Sequence, residues 1–145
     1  LQGIEAIDGG GGFDIIRGTA GSDLIDLSKI TLTGIEAIRG LGGNDTIIGS
    51  EGNDTMQGGA GFDLFVITPG GHDVISDFQA FRAGGGIADR IDLSGWGFTS
   101  FEDLLAHATA DASGIGISIT LDAATSLTLS NIRLAVLTAD HFDLG

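Results

Sequence analysis

A nine-residue pattern of glycine, acidic and apolar residues recurs along the first half of the chain and constrains its fold more than any other feature. With two insertions, at Leu27–Ile30 and at Ile67, eight successive units align. Each unit has glycine at its fourth place, an acid at its sixth and an apolar residue at its eighth. The acids are Glu5, Asp14, Asp23, Glu36, Asp45, Asp54, Asp63 and Asp73, and the apolar residues are Ile7, Ile16, Ile25, Ile38, Ile47, Met56, Phe65 and Ile75. A short period of this kind predicts a solenoid, in which each unit adds the same element to a stack.

The spacing within one unit fits a six-residue turn followed by a three-residue strand. Side chains alternate between the two faces of a strand, so the eighth-place residue should point inward and its two neighbours outward. Glycine in the turn allows positive φ and lets the backbone of another unit approach closely. We expect two units to complete one coil, so that every second unit stacks on the same edge. One edge would carry Glu5, Asp23, Asp45 and Asp63, and the other Asp14, Glu36, Asp54 and Asp73.

The charge balance indicates what these edges bind. The chain has 20 acidic residues against 6 lysines and arginines, which argues against nucleic acid as a partner. Stacked turns that present carboxylates and backbone carbonyls surround a space with oxygen, which suits calcium rather than zinc or copper. The best candidate pairs are Asp45/Asp63, Asp23/Asp45 and Asp54/Asp73. Sites that need Glu5 or Glu36 are less suitable because the extra methylene moves the carboxylate. The alternative is that the acids only cap turns.

The pattern resembles the RTX, or haemolysin-type, calcium-binding repeats, whose consensus is G-G-x-G-x-D-x-U-x with U apolar. Gly58–Val66 and Gly9–Arg17 match it at every place, and the resemblance covers residues 1–78. It implies a parallel β-roll with several Ca2+ ions between successive turns. The candidate ligands are the acids Asp14, Asp23, Glu36, Asp45, Asp54, Asp63, Asp73 and Asp77, with the glycine positions Gly9, Gly11, Gly18, Gly40, Gly42, Gly43, Gly49, Gly52, Gly58, Gly59 and Gly61.

The second half, residues 79–145, has fewer glycines and reads as a β-rich cap with one short helix. Strands are predicted at 74–78, 90–94 and 115–121, with another starting at 127 and a helix at 100–109. The order of these elements is similar to the C-terminal segments of serralysin-like proteins, which implies a type I secretion signal region. Asp77, Asp89 and Asp92 either complete a further cation site or serve as turn and surface residues. The predicted fold is therefore all-β, a parallel β-roll with this cap.

These observations favour a calcium-binding module that folds on Ca2+ and supports type I secretion of a larger protein. The resemblance implies an ABC exporter as partner, a secreted or cell-surface location in a Gram-negative bacterium, and an upstream domain. The alternative is an adhesive or carbohydrate-binding β-roll, although the outward seventh and ninth places carry no aromatic residues. Neither H-E-x-x-H nor G-x-S-x-G occurs, so we expect no enzymatic activity. No apolar run approaches the ~20 residues of a membrane span, and the absence of cysteine excludes disulfides and thiolate metal sites.

Overall fold

The computed structural model of the chain describes residues 3–81, 86 and 88–145. Leu1 and Gln2, which begin the first repeat, lie outside the described residues. Short strands joined by turns dominate this part of the chain. They are β1 (Ala6–Asp8), β2 (Ile15–Arg17), β3 (Leu24–Asp26), β4 (Thr31–Thr33), β5 (Ala37–Gly42), β6 (Thr46–Ile48), β7 (Thr55–Ala60), β8 (Leu64–Val66), β9 (Gly71–Ile75), β10 (Arg90–Asp92), β11 (Ala108–Ala110), β12 (Gly116–Thr120), β13 (Thr125–Ser130) and β14 (Phe142–Asp143). The described residues also contain one helix, α1 (Phe101–Ala106), and two 3-10 turns, Leu134–Val136 and Ala139–His141.

The repeat strands from β2 onward stack in parallel as two facing sheets, and β1 pairs with β4 in a separate two-stranded sheet. This stacking confirms the predicted β-roll. One sheet has the order β14-β10-β8-β6-β3, and the other has β11-β12-β13-β9-β7-β5-β2. In the first, Ile25 pairs with Ile47 and Ile47 with Phe65, so each strand lies on the strand two units away. In the second, Ile38 pairs with Met56, and Met56 with Ile75. Two units therefore make one coil.

The eighth-place residues form the core between the two sheets. Ile47, Met56, Phe65 and Ile75 are fully buried, and Ile38 is 1% exposed. Complete burial of such a side chain contributes about 1.5–3 kcal/mol. Ile7, Ile16 and Ile25 of the first units are partly buried and pack against the same cluster. The inward direction of the eighth place is thus confirmed along the whole array.

The first insertion changes the stacking expected for Glu5. Leu27 and Ile30 are buried in the core, at 0% and 6% exposure. The inserted residues 27–30 therefore lengthen this coil by one turn. Strand β4 follows and pairs with β1, Ala6 opposite Thr31. Glu5 therefore lies level with Ile30, and its expected position on the same edge as Asp23 is wrong.

The second half extends both sheets beyond the repeats. Strand β10 lies on β8 and β14 on β10, both in parallel, while β13 lies on β9 in the other sheet. Strands β12 and β11 then continue that sheet as antiparallel neighbours. The strand predicted at 74–78 runs from 71 to 75, and the one predicted at 90–94 from 90 to 92. Roll and cap thus share continuous sheets.

The helix starts where the sequence predicts and ends earlier. Ser100 caps it, because its side chain accepts a hydrogen bond from the Asp103 amide. The helix stops at Ala106, and Ala108–Ala110 pair as β11 with β12 instead of continuing the predicted helix to residue 109. Ala108 has helical spacing in the sequence, but in the structure it pairs with the edge strand of a sheet. No helix among the described residues is long and apolar enough to cross a membrane.

Candidate metal centre

One edge of the roll carries a ladder of carboxylates, each bonded to the backbone of the preceding coil. The amide of Asp23 donates to Oδ1 of Asp45 at 2.8 Å, and the amide of Asp45 donates to Oδ1 of Asp63 at 2.9 Å. The Asp63 amide in turn donates to Oδ1 of Asp89 at 3.1 Å. The predicted stacks Asp23/Asp45 and Asp45/Asp63 are confirmed, and the ladder continues into a residue outside the repeats.

The opposite edge carries a ladder in two separate steps. The Asp14 amide donates to Oε2 of Glu36 at 2.7 Å, so the longer side chain of Glu36 still reaches the preceding coil. The Asp54 amide donates to Oδ1 of Asp73 at 3.0 Å. Between these steps the Asp54 carboxylate accepts from the amide and hydroxyl of Ser50 in its own turn. The acids of this edge therefore bond to a neighbouring coil, and Asp54 also caps its own turn.

The second oxygen of several ladder carboxylates is buried without a hydrogen-bond partner in the described part of the chain. These atoms are Oδ2 of Asp14, Asp45, Asp63 and Asp73. Asp45, Asp63 and Asp73 are only 1%, 2% and 1% exposed. A buried charged oxygen without a partner is strongly destabilising unless a cation or proton neutralises it. The arrangement therefore requires a positive group at these oxygens.

Five of the eight units have glycine at the first place, and this glycine creates room for the group. A side chain at Gly40 would collide with Oδ2 of Asp45 and would lie 2.7 Å from the carbonyl oxygen of Gly58 in the next coil. At Gly18 the same position would lie 2.7 Å from both Oδ2 of Asp23 and the Gly40 carbonyl oxygen. A carboxylate oxygen and a carbonyl oxygen of the next coil thus converge on one space.

The remaining predicted glycines divide into three groups. Gly9, Gly49 and Gly58 also lie against the aspartate of their own unit, while Gly43, Gly59 and Gly61 have positive φ and pack on the backbone of the preceding coil. At Gly61, with φ of +148°, a Cβ would clash with the Gly43 carbonyl. Gly11, Gly42 and Gly52 have no carboxylate within 4 Å of their Cβ positions.

Burial disfavours the charged form of these acids. It raises the pKa of the Asp73 carboxyl to about 7, and the nearby charge of Asp54 adds to the effect. Burial also raises the pKa of Asp89 to about 7, with contributions from the charges of Asp63 and Asp77. The pKa values of Asp54, Asp63 and Asp77 are raised as well, in each case mainly by burial. The ladders hold carboxylates that are poorly stabilised as free anions.

The donor set fits calcium. It consists of hard oxygen atoms from carboxylates and backbone carbonyls, and no His, Cys, Asp and Glu cluster of three or more forms a metal site within the described ranges. Ca2+ accepts six to eight such oxygens in flexible geometry, whereas zinc prefers nitrogen and sulfur in a small closed set. Asp45 with Gly58, and Asp23 with Gly40, would supply carboxylate and carbonyl ligands to one ion each.

The comparisons with known proteins agree with this chemistry. Residues 2–28 and 30–65 match the family of RTX calcium-binding nonapeptide repeats, in four copies. This part of the chain is an RTX domain. RTX repeats bind Ca2+ ions, and the hard oxygen donors of the two ladders fit that ion.

A solved structure with a similar fold covers the whole length of the chain, including the RTX repeats and the cap. The AlgE6R3 subunit from the Azotobacter vinelandii mannuronan C5-epimerase has a TM-score of 0.59 and 24% identity, and the alignment covers 100% of this chain and 86% of that subunit. The AlgE6R2 subunit of the same enzyme has a TM-score of 0.36 and 21% identity, over 88% of this chain and 90% of that one. No curated protein matches the chain.

Three acids at and beyond the end of the roll, the candidate ligand Asp77 with Asp89 and Asp92, have different contacts in the structure. Asp89 joins the ladder, while Asp77 accepts hydrogen bonds from the amides of Gly58 and Gly59 at 3.0 and 2.9 Å. Asp92 accepts from the Ser94 amide at 2.9 Å and caps a turn. The sequence contains a sign that Asp89 continues the ladder: Ile91 follows it by two places, just as an apolar residue follows the acid in every unit.

Proposed function

We propose that this RTX domain is a non-enzymatic module that folds when Ca2+ binds and thereby supports type I secretion and extracellular folding of a larger bacterial protein. The observation that carries the proposal is the set of buried, unpaired carboxylate oxygens along both edges. Without cations the ladders place like charges in register in a desolvated edge, which opposes folding.

Mass action sets the expected size of the calcium effect. Extracellular calcium modules commonly bind with dissociation constants of about 10⁻⁴–10⁻³ M. At a tenfold excess of calcium over such a constant, each site stabilises the fold by roughly 1.4 kcal/mol. Several sites together approach the stability of a whole domain, about 5–15 kcal/mol. The chain would therefore stay unfolded at cytosolic calcium levels and fold outside the cell.

Circular dichroism of the 145-residue chain tests the folding switch. We expect a largely unfolded spectrum in EGTA and a β-rich spectrum with a cooperative thermal transition after calcium is added, whereas magnesium at the same concentration should restore little structure. An identical β-rich spectrum and melting temperature in EGTA would contradict the proposal.

The secretion part of the proposal is supported by the order of elements in residues 79–145 and by the occurrence of RTX repeats in secreted bacterial proteins. An exporter that reads a C-terminal signal receives the chain after synthesis, so the chain must remain unfolded inside the cell. We expect the module to direct secretion of a passenger from a Gram-negative host with a matching exporter, and deletion of Leu134–Gly145 to stop export while the ladder from Asp14 to Asp73 still binds calcium. Equal secretion of the truncated fusion would refute the signal.

A polysaccharide-binding role is the second candidate, and one feature of the outer surface favours it. Arg17 lies directly opposite Arg39 on adjacent strands. Nε of Arg39 has no hydrogen-bond partner among the described residues, although the Asp77 carboxylate interacts electrostatically with Arg39. Like charges in register destabilise a sheet unless an anion neutralises them. An acidic polysaccharide such as mannuronan would do so. Calorimetry with mannuronan should show binding by the wild type that is lost in Arg17→Ala/Arg39→Ala and kept in Arg133→Ala. No binding by the wild type would exclude this role.

A further inference from the structure

The outer faces of the two long sheets differ in chemistry. Side chains on either side of a core residue point to the opposite face of the strand, away from the core. On β7, β9, β12 and β13 these outward side chains are polar apart from Val74, and they are Thr55, Gln57, His72, Ser118, Thr120, Ser126, Thr128 and Ser130. This outer face has the composition of a sheet surface that is open to water.

The other long sheet carries an apolar outer face. Strand β6 reads Thr-Ile-Ile and β8 reads Leu-Phe-Val, and in both the central residue is buried while its two neighbours are partly exposed. The outward residues are Thr46, Ile48, Leu64 and Val66, and together they form what we call the β6–β8 face. Its three apolar side chains belong neither to the core cluster nor to the partly buried residues packed against that cluster. Parallel strands that are apolar on both sides are typical of sheets covered on both faces.

Charged residues border the β6–β8 face on β10 and β14. Arg90 lies opposite Leu64, and Asp92 lies opposite Val66 and Asp143. Like charges in register, such as Asp92 and Asp143, destabilise a sheet unless a cation lies near them. Each of these two carboxylates accepts one turn amide through Oδ1, at 2.9 and 3.2 Å, so its second oxygen is left for a cation. The Arg90 guanidinium is exposed and forms no ion pair within the described ranges.

Two copies of the β6–β8 face complement each other. Identical surfaces that pack face to face are related by a two-fold axis in the plane of the interface. An axis along the stacking direction of the strands exchanges the first and third residues of each strand. Leu64 then lies on Val66 of the second copy, and Arg90 lies on Asp92 of the second copy. An axis along the strands would instead place Asp92 against Ile48 and leave its charge unpaired.

We propose that the β6–β8 face is the interface of a homodimer, in which Arg90 of each copy pairs with Asp92 and Asp143 of the other. Apolar side chains form the centre of this interface and charged side chains form its rim, as in protein interfaces generally. The RTX consensus leaves the seventh and ninth places of a unit variable, so the apolar character of this face is a property of this chain. Neither calcium binding nor secretion, as proposed above, uses these outward side chains.

The dimensions of the β6–β8 face predict weak and reversible association. Neighbouring strands lie about 4.8 Å apart, so the matched surface extends only about 10 Å from β6 to β10. Such an interface is smaller than the roughly 1,200 Å² that stable complexes bury. We therefore expect a dissociation constant of about 0.1 mM, which should rise with salt because charges form the rim.

Sedimentation equilibrium of the calcium-loaded 145-residue chain tests the dimer. Leu64→Gln should raise the dissociation constant about tenfold or more, because it removes an apolar contact from the centre. Val74→Gln is the matched control, since Val74 is the partly exposed apolar residue on the outer face of the other sheet. A wild type that stays monomeric up to about 1 mM would refute the second copy as the occupant of this face. Equal effects of the two substitutions would refute the face as the interface.

Charge exchange tests the direction of the two-fold axis. Arg90→Glu and Asp92→Lys should each weaken self-association, because each variant alone brings like charges together across the interface. A mixture of the two variants restores opposite charges and should form a heterodimer of about wild-type affinity. If the mixture associates no better than either variant alone, the proposed pairing of Arg90 with Asp92 is wrong.

A measurement on the unaltered chain guards against variants that do not fold. The methyl NMR signals of Ile48, Leu64 and Val66 should shift as the concentration of the calcium-loaded chain rises from about 20 μM to about 1 mM. The signals of Val74 should stay constant, because this residue lies on the opposite outer face. Shifts that are absent from the β6–β8 face, or that are equal on both faces, would refute the proposal.

Discussion

Without calcium, the RTX domain should become more stable as the pH is lowered from 7.5 to about 4.5. The cause is the burial of Asp73 and Asp89, which raises the pKa of each carboxyl from 3.8 to about 7 in the ion-free fold. In the unfolded chain both groups titrate near 3.9. A carboxyl whose pKa is higher in the folded state stabilises the fold fully below its unfolded pKa, and this stability is lost as the pH rises through about 7.

The magnitude follows from the size of the shift. About three pKa units at roughly 1.4 kcal/mol each give ~4 kcal/mol per carboxyl as an upper bound. Relaxation and water entry in the ion-free edge reduce this to about 2–4 kcal/mol per group. Two groups then destabilise the ion-free fold by about 4–8 kcal/mol at pH 7.5, which is comparable with the whole stability of a domain. A cation bound at such a carboxylate would remove its share of this penalty, because it neutralises the buried charge.

Circular dichroism in calcium-depleted buffers between pH 4.5 and 8 measures the folded fraction, and urea unfolding gives the free energy at each pH where the ion-free chain is folded. Asp73→Asn removes one of the two titrating carboxyls, so the ion-free stability should depend less on pH. The substitution should raise that stability at pH 7.5 by about 2–4 kcal/mol and weaken calcium binding. Asp140→Asn, on the exposed surface, is the control. Ion-free stability that is constant or rises between pH 5 and 8 would show that these carboxyls are not desolvated as the structure indicates.

Three other substitutions test the roll itself. Asp45→Ala should weaken calcium binding more than Asp14→Ala in calorimetric titration, because Asp45 is bonded to the coils on both sides and Asp14 stacks only with a glutamate; equal losses would contradict the stacking. Phe65→Ala should destabilise the calcium-loaded fold by about 3–5 kcal/mol in urea unfolding, since the ring is fully buried between the sheets, and a loss below ~1 kcal/mol would contradict that burial. Gly61→Ala should lower the melting temperature far more than Gly95→Ala, because an added Cβ would clash with the neighbouring coil only at Gly61.

The period of the repeat was sufficient to predict the roll and most of its ladders. Once every ninth residue is known to face the core, the pairing of alternate units fixes which acids stack, and Asp23, Asp45 and Asp63 follow without further information. The inward direction of Phe65 and its equivalents follows from strand alternation alone. RTX membership and calcium binding follow from the same columns.

The tertiary structure decided what the period does not encode. Leu27 and Ile30 are buried and add a strand, which moves Glu5 away from the predicted edge, and their burial depends on the space between sheets rather than on spacing. Asp89 joins the ladder because β10 packs on β8, and the sequence before β10 does not follow the nine-residue pattern, so the repeat cannot give this pairing. Local periodicity determines contacts between neighbouring repeats, but contacts between distant segments depend on which apolar faces remain uncovered when the roll has formed.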